Sequence, residues 1–213
     1  MYHDAYAHLY QKINGFKVKI KVAAEKEVVG YLSLKPSTRS TYDIAMRDAT
    51  IDGLLTSDKI KDIKPSQIFY KINNPNELFI LQSVNEFEFQ ETTRNINAIK
   101  QNSFATIQRK SFNEERGIEE YKDIYIDLIS FITSQNKDEK NFAAGIEDNT
   151  ILSIQVPKRD LDGNIYDIQN LDRIILKSKE KDLSKIIKIE SIDSFGVSGI
   201  IRIFGTYDTR TGE

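Results

Sequence analysis

Apolar and polar residues alternate from Phe16 to Val22, where Phe16, Val18, Ile20 and Val22 are separated by Lys17, Lys19 and Lys21. A period of two is the signature of a half-buried strand, and Val28–Leu34 reads as its hairpin neighbour across Ala24–Glu27. The lysines are read as the solvated face of that strand, where charge also discourages edge aggregation. Further on, Tyr42, Ile44 and Met46 alternate, as do parts of Ala49–Leu55, so strands are favoured there, with Gly53 as a bend. One pattern then occurs twice. Pro65-Ser66-Gln67-Ile68, Lys71 and Phe79-Ile80-Leu81-Gln82-Ser83-Val84 are matched by Leu171-Asp172-Arg173-Ile174, Lys177 and Ile187-Lys188-Ile189-Glu190-Ser191-Ile192. Each copy reads as a strand, a polar tip and a second strand. The tip of the second copy is longer.

Two stretches carry the period of a helix instead. Tyr2, Tyr6, Leu9, Tyr10 and Ile13 predict a short N-terminal helix closed by Asn14-Gly15. Ile118, Tyr121, Tyr125, Leu128, Ile129 and Ile132 recur at intervals of three and four and predict a long amphipathic helix ending at Gln135–Asp138. Between the first hairpin and this helix, residues 91–117 are polar, with isolated anchors at Ile96, Ile99, Phe104, Ile107 and Phe112. They read as an arm or an interlobe connection, because structureless loops of this length inside a domain generally have a function. Ile151–Val156, ended by Pro157, the second hairpin and Ile200–Phe204 make the remainder β-rich.

These elements predict a mainly β, α+β chain: two small antiparallel β-barrel or sandwich lobes bridged by a long amphipathic helix. The divisions are residues 1–90 for an N-terminal β-lobe with its short helix, 91–149 for the polar arm and helix, and 150–213 for a barrel-like C-terminal lobe.

Composition narrows the chemistry. The 213 residues contain no Cys and no Trp, so disulfides and thiolate zinc sites are excluded. Thirty Lys and Arg against thirty-two Asp and Glu leave a charge of −2, without the basic excess of a protein that follows a phosphate backbone. No leader pattern follows Met1, and no apolar run approaches the roughly 20 residues needed to span a bilayer.

No residue pattern in the sequence marks a catalytic, cofactor-binding or metal-binding site. His3 and His8, the two histidines, stand five apart and face different sides of the predicted helix, short of the three or four ligands of a zinc site. Asp160-Leu161-Asp162-Gly163-Asn164 has its glycine too early for a calcium loop and reads as a turn. Gly196-x-x-Gly199 lacks the Lys-Ser/Thr of a phosphate loop. Carboxylate neighbours such as Asp43 with Asp48 and Glu119 with Glu120 read as solvated faces. Single-strand binding would require aromatics beside cations. The first hairpin has Phe69, Tyr70, Phe79 and Phe87, whereas the second has Lys177, Lys179, Lys181, Lys185 and Lys188. In sequence the two ingredients lie apart.

The C-terminal motif is an Asp162-Gly163 turn, Asp172-x-Ile174, a polar tip and Lys188-Ile189-Glu190-Ser191-Ile192. It resembles the small-barrel head–tail connector proteins of tailed bacteriophages, the stopper or head-completion group, in which an Asp precedes a barrel strand. The likeness covers residues 150–204 and, more loosely, 62–89. The doubled lobe, the chain length and the predicted helix depart from the single barrel usual in that group. The resemblance implies a non-enzymatic virion protein without cofactors, assembled in the host cytoplasm. It would form a homo-oligomeric ring around the DNA channel, contact other neck or tail proteins and lie near packaged DNA, with no membrane or small-molecule substrate. On that reading Phe104 and Phe112 are the partner-contact residues. A different tail or baseplate component, and a single-stranded nucleic-acid-binding barrel, remain the alternatives.

Overall fold

The computed structural model describes residues 15–34, 49–86, 91–115, 117–134, 152–178 and 184–208. The predicted helix at residues 2–13 and the alternation at Tyr42–Met46 lie outside them. The described chain is almost entirely β, with one 3-10 turn at Ile60–Asp62, and it divides into two compact units.

The first unit is a closed six-stranded barrel. Its strands are β1 (Phe16–Ala23), β2 (Lys26–Leu34), β3 (Thr50–Thr56), β4 (Ile68–Lys71), β5 (Asn74–Glu86) and β6 (Thr93–Lys100), arranged β1-β2-β3-β6-β5-β4. The alternation in β1 sends Val18 and Ile20 inward, where Val28 and Leu32 of β2, Leu55 of β3 and Ile96 of β6 meet them. Phe69 and Phe79, directly paired across β4 and β5, stack with ring centroids 4.9 Å apart. Burying each such side chain contributes about 1.5–3 kcal/mol. Gly53 is an interior strand position rather than a bend: a Cβ there would stand 2.7 Å from the Ser33 carbonyl oxygen of β2. Residues 157–166 and 195–200 also belong to this unit.

The second unit is another closed barrel, made of β7 (Ser103–Asn113), β8 (Ile118–Ser134), β9 (Leu152–Pro157), β10 (Arg173–Ser178), β11 (Ser184–Asp193) and β12 (Ile200–Tyr207). Its order, β10-β11-β12-β9-β8-β7, is that of the first barrel. In both, three strands run in sequence, three more follow, and the first and third strands of each set pair with those of the other. The repeated hairpins, β4–β5 and β10–β11, are therefore the fourth and fifth strands of their barrels. Register also explains the shared ending. The ladder slips between Leu81 and Ser83 in β5 and between Ile189 and Ser191 in β11. Gln82 and Glu190 are thus the extra residues of equivalent β-bulges, which bend a strand so that a sheet can close. In the first strands of the hairpins the structural match is displaced by one. Phe69 opposite Phe79 corresponds to Ile174 opposite Ile187, which makes Gln67 the counterpart of Asp172.

The predicted α+β class and bridging helix are overturned. Ile118–Ser134 is β8, paired with β7 from Ile118 to Ser130 and with β9 from Phe131 to Ser134. Bulges account for part of the helical spacing. Leu128 and Tyr125, three residues apart, oppose Ala105 and Ile107, two apart, because an extra residue is accommodated beside Asp127, whose φ is +50°. A second slip follows between Tyr125 and Asp123, opposite Ile107 and Gln108. The first inserted residue stretches the Tyr125-to-Leu128 interval from two to three. Tyr121, opposite Lys110, lies on the other face of the strand from Tyr125, opposite Ile107, so the apparent stripe mixes the two faces. The richness of this segment in Ile and Tyr, residues that suit a pleated sheet, is the opposing signal. Residues 91–117, expected as an arm, supply all of β6 and β7, with Ile96, Ile99 and Ile107 buried in the barrels.

Candidate functional site

At the entrance to β10 the chain builds an ion pair between a half-buried arginine and a buried aspartate. Ile107 and Ile174 are opposite each other in the second barrel and fully buried. Side chains two residues apart share a face of a strand, so Arg109 and Asp172 extend that inward-facing pair to the end of the barrel. Arg109 Nε donates to Asp172 Oδ1 at 2.8 Å and Nη2 to Oδ2 at 2.9 Å. This is the two-pronged geometry that makes such pairs strong. The Asp172 side chain is 0% exposed, and its Oδ2 also accepts the Gln169 backbone N–H at 2.8 Å. Arg109 further binds Asp167 through its carboxylate at 3.0 Å and its carbonyl at 2.7 Å. The Tyr125 hydroxyl accepts the Asp167 N–H at 3.0 Å. The bonds to Asp172, and then to Asp167, hold the guanidinium even further above its ordinary value despite desolvation. Arg109 is a permanent charge that fixes the 167–172 loop, with no proton to offer to chemistry.

The outer face of the same sheet carries a second constellation. Gln108, Arg173, Lys188 and Thr206 are consecutive cross-strand neighbours on β7, β10, β11 and β12. Arg173 Nε donates to Gln108 Oε1 at 2.7 Å, and Gln108 Nε2 to Asp123 Oδ1 at 2.5 Å. The Arg173 guanidinium lies over the Tyr121 ring, 3.6 Å from its centroid, an attraction of about 0.5–2 kcal/mol. A cavity of about 470 Å³ opens here, lined among others by Arg109, Tyr121, Leu171, Asp172, Arg173 and Lys188. Aromatic and basic groups that lie apart in sequence therefore meet in this barrel, and they do so again where Lys185 Nζ sits 4.6 Å from the Tyr207 ring centroid.

The first barrel has the equivalent corner in uncharged form. Gln67 precedes β4, its Oε1 accepts the Lys64 N–H at 2.9 Å, and its Nε2 donates to the carbonyls of Asp62 at 3.2 Å and Val22 at 3.5 Å. Val22 stands two residues beyond Ile20, the partner of Phe69, and so occupies the place that Arg109 takes in the second barrel.

Phe104 and Phe112 are brought to different settings. Phe104 is half-buried within the barrel wall, between Ile129 and Lys177. Phe112 is 62% exposed on a ribbon where Arg109–Asn113 of β7 pairs with Ile118–Lys122 of β8 and with no other strand among the described residues. Ile118, also exposed, is near the tip of that ribbon. His3 and His8 lie outside the described residues. Asp160 is occupied by its own turn: Oδ1 accepts the N–H groups of Asp162 and Asn164, and Oδ2 the Asn164 side chain. Among the described residues no group of three His, Cys, Asp or Glu could hold a metal, and no helix is long and apolar enough to cross a membrane. The Asp of the sequence motif pointed to one half of the Arg109–Asp172 pair. Nothing in the sequence pointed to Arg109, whose partner lies 63 positions away, or to Tyr121, whose local spacing fits a helix.

No protein-family model matches the chain, and no curated protein does. Among solved structures, the K. pneumonia MrkH–c-di-GMP complex aligns over 98% of this chain and 85% of its own, at 10% identity and a TM-score of 0.18. MrkH in its apo state aligns over 99% and 85%, at 8% identity and a TM-score of 0.20. Likenesses at these scores carry no inference about this chain.

Proposed function

We propose that this chain is a structural subunit of a tailed-bacteriophage virion, of the head–tail connector class, joining the portal side of the capsid to the tail. The observation that carries this reading is the place of Asp172. The residue that marks the family resemblance in sequence is the buried anchor that ties the loop before β10 to β7 through Arg109. A motif residue with a defined structural task is stronger support than a motif residue on an open surface. Two barrels of one topology also offer two separate surfaces for neighbours. Phe112 is the partner contact favoured by exposure, because an extended two-stranded ribbon is marginally stable alone in water and large apolar groups at exposed positions gain by being covered. Assembly into a ring around the DNA channel belongs to the same reading.

The test is mass spectrometry of purified virions from the strain that encodes the chain. Recovery at a stoichiometry of several copies per particle is the expected result. Absence from particles that package DNA and carry tails overturns the proposal.

A further inference from the structure

We propose that the cavity beside Arg173 is a docking pocket for a carboxylate on a partner protein, specifically an acidic side chain flanked by an apolar one. Arg173 is already held in place. Its Nε is bonded to Gln108 and its plane rests on Tyr121, while its terminal N–H groups have no acceptor among the described residues. A planar guanidinium with its paired donors free matches the two oxygens of a carboxylate. Because stacking and the Nε bond fix its orientation before binding, little further side-chain freedom is lost when the ligand arrives.

The surroundings favour the same ligand. Lys188 faces Arg173 directly across the β10–β11 ladder, on the same side of the sheet, and its ion pair with Glu190 at 3.3 Å is half-exposed and therefore weak. Asp172 in the wall presents no free negative charge, since Arg109 grips both of its oxygens. Leu171, at the rim, is 86% exposed and gives an apolar neighbour of the carboxylate something to cover. Nucleic acid fits less well. A strand follows a row of cations, whereas this cluster is one compact pair, Arg173 and Lys188, and the nearby carboxylates of Glu190 and Asp208 act on either anion alike. The pocket is read from its own residues and is independent of the virion proposal, because the purified chain is enough to test it.

The experiment is an NMR titration of the full-length protein with the blocked peptide acetyl-Gly-Leu-Glu-Leu-Gly-amide, its Gln-for-Glu counterpart and an oligothymidylate. The expected result is a saturable shift of the Arg173 Nε–H and Leu171 methyl signals by the Glu peptide, with a Kd on the order of 1 mM. The Gln peptide should bind at least about tenfold more weakly, as the loss of a charge-assisted contact implies. Arg173→Gln and Lys188→Gln should each weaken binding of the Glu peptide. Lys188 is exposed, so its variant provides the answer should Arg173→Gln lose its fold. Equal shifts by the two peptides, no saturable shift, or unchanged binding in Lys188→Gln overturns the proposal. Binding of the oligothymidylate at lower concentration than the peptide also overturns it, in favour of a nucleic-acid surface.

Discussion

Gln67 and Asp172 occupy the same point of two separate barrels, each one residue ahead of the fourth strand. Each accepts the backbone N–H of the residue three positions earlier, Lys64 in one case and Gln169 in the other. Each also reaches the first strand of its barrel, Gln67 by a hydrogen bond from its side-chain amide to the Val22 carbonyl and Asp172 by an ion pair with Arg109. The same corner is thus closed once by neutral hydrogen bonds and once by charge.

The charged version is the more sensitive to substitution. Arg109→Ala strands the buried Asp172 carboxylate, and removing one partner of a fully buried pair costs about 3–5 kcal/mol. Arg109 is about a third exposed, and solvent screening brings the expectation to about 2–3 kcal/mol. Urea denaturation should show that loss, and the double variant with Asp172→Asn should recover part of it. Additive losses would rule out the coupling.

Gln67→Ala removes neutral bonds only, at a cost of about 1 kcal/mol. Gln67→Glu keeps the acceptor for the Lys64 N–H and loses the donor to Val22 and Asp62. Hydrogen exchange at the Lys64 amide separates the two variants, with faster exchange expected in the alanine form alone.

Gly199 tolerates no side chain. A Cβ there would lie 2.2 Å from the Leu81 carbonyl oxygen, 2.6 Å from that of Gln82 and 2.9 Å from the Ser66 nitrogen, all of them backbone atoms. The Gly199 N–H bonds the Gln82 carbonyl at 2.8 Å. Gly199→Ala should therefore detach residues 195–200 from the first unit and lower its stability by about 1–3 kcal/mol. Thermal unfolding measures the loss, and faster exchange at the Gly199 amide locates it.

Acid should weaken the first barrel. The Tyr70 hydroxyl at 2.7 Å, then Lys19 at 3.1 Å, hold the Glu27 carboxyl below its ordinary range. Lys100 at 2.5 Å, then Lys71 at 3.3 Å, do the same for Glu77. A carboxylate whose value is depressed on folding contributes stability above its unfolded value, about 4.3, and that contribution is lost as pH falls through the folded value. The melting temperature should be nearly flat from neutral pH to about 5 and fall below it. Glu77→Gln should be the less stable protein at neutral pH and converge with the native chain in acid. A constant difference at all pH values would contradict this.

Phe112→Ala should leave the isolated chain's stability within about 0.5 kcal/mol, as for other exposed positions. It should reduce incorporation into virions if the ribbon is the neighbour contact. Normal incorporation would remove Phe112 from the interface.

The first two strands of the first barrel were legible because each has one wet face and one dry face, whereas β6, which lacks that clean alternation, read as part of an arm. The lysines between Phe16 and Val22 declare that alternation without help from the rest of the chain. The repeated hairpin was legible for the same reason, while the equivalent bulges at its Leu-Gln-Ser and Ile-Glu-Ser triplets follow only from strand register. The offset of one residue between the first strands was not, because Gln67 and Asp172 perform one task with unlike side chains. Tertiary structure alone decided β8. Its spacing of apolar residues fits a helix locally, and only pairing with β7, with extra residues near Asp127 and Tyr125, makes it a strand. It alone decided the site as well. Arg109 with Asp172, and Tyr121 with Arg173, are pairs made by barrel closure, and closure depends on register between strands far apart in sequence. Periodicity is a local property of the chain and register is not, so the sequence by itself determined most of the strands while the tertiary structure decided which residues face one another.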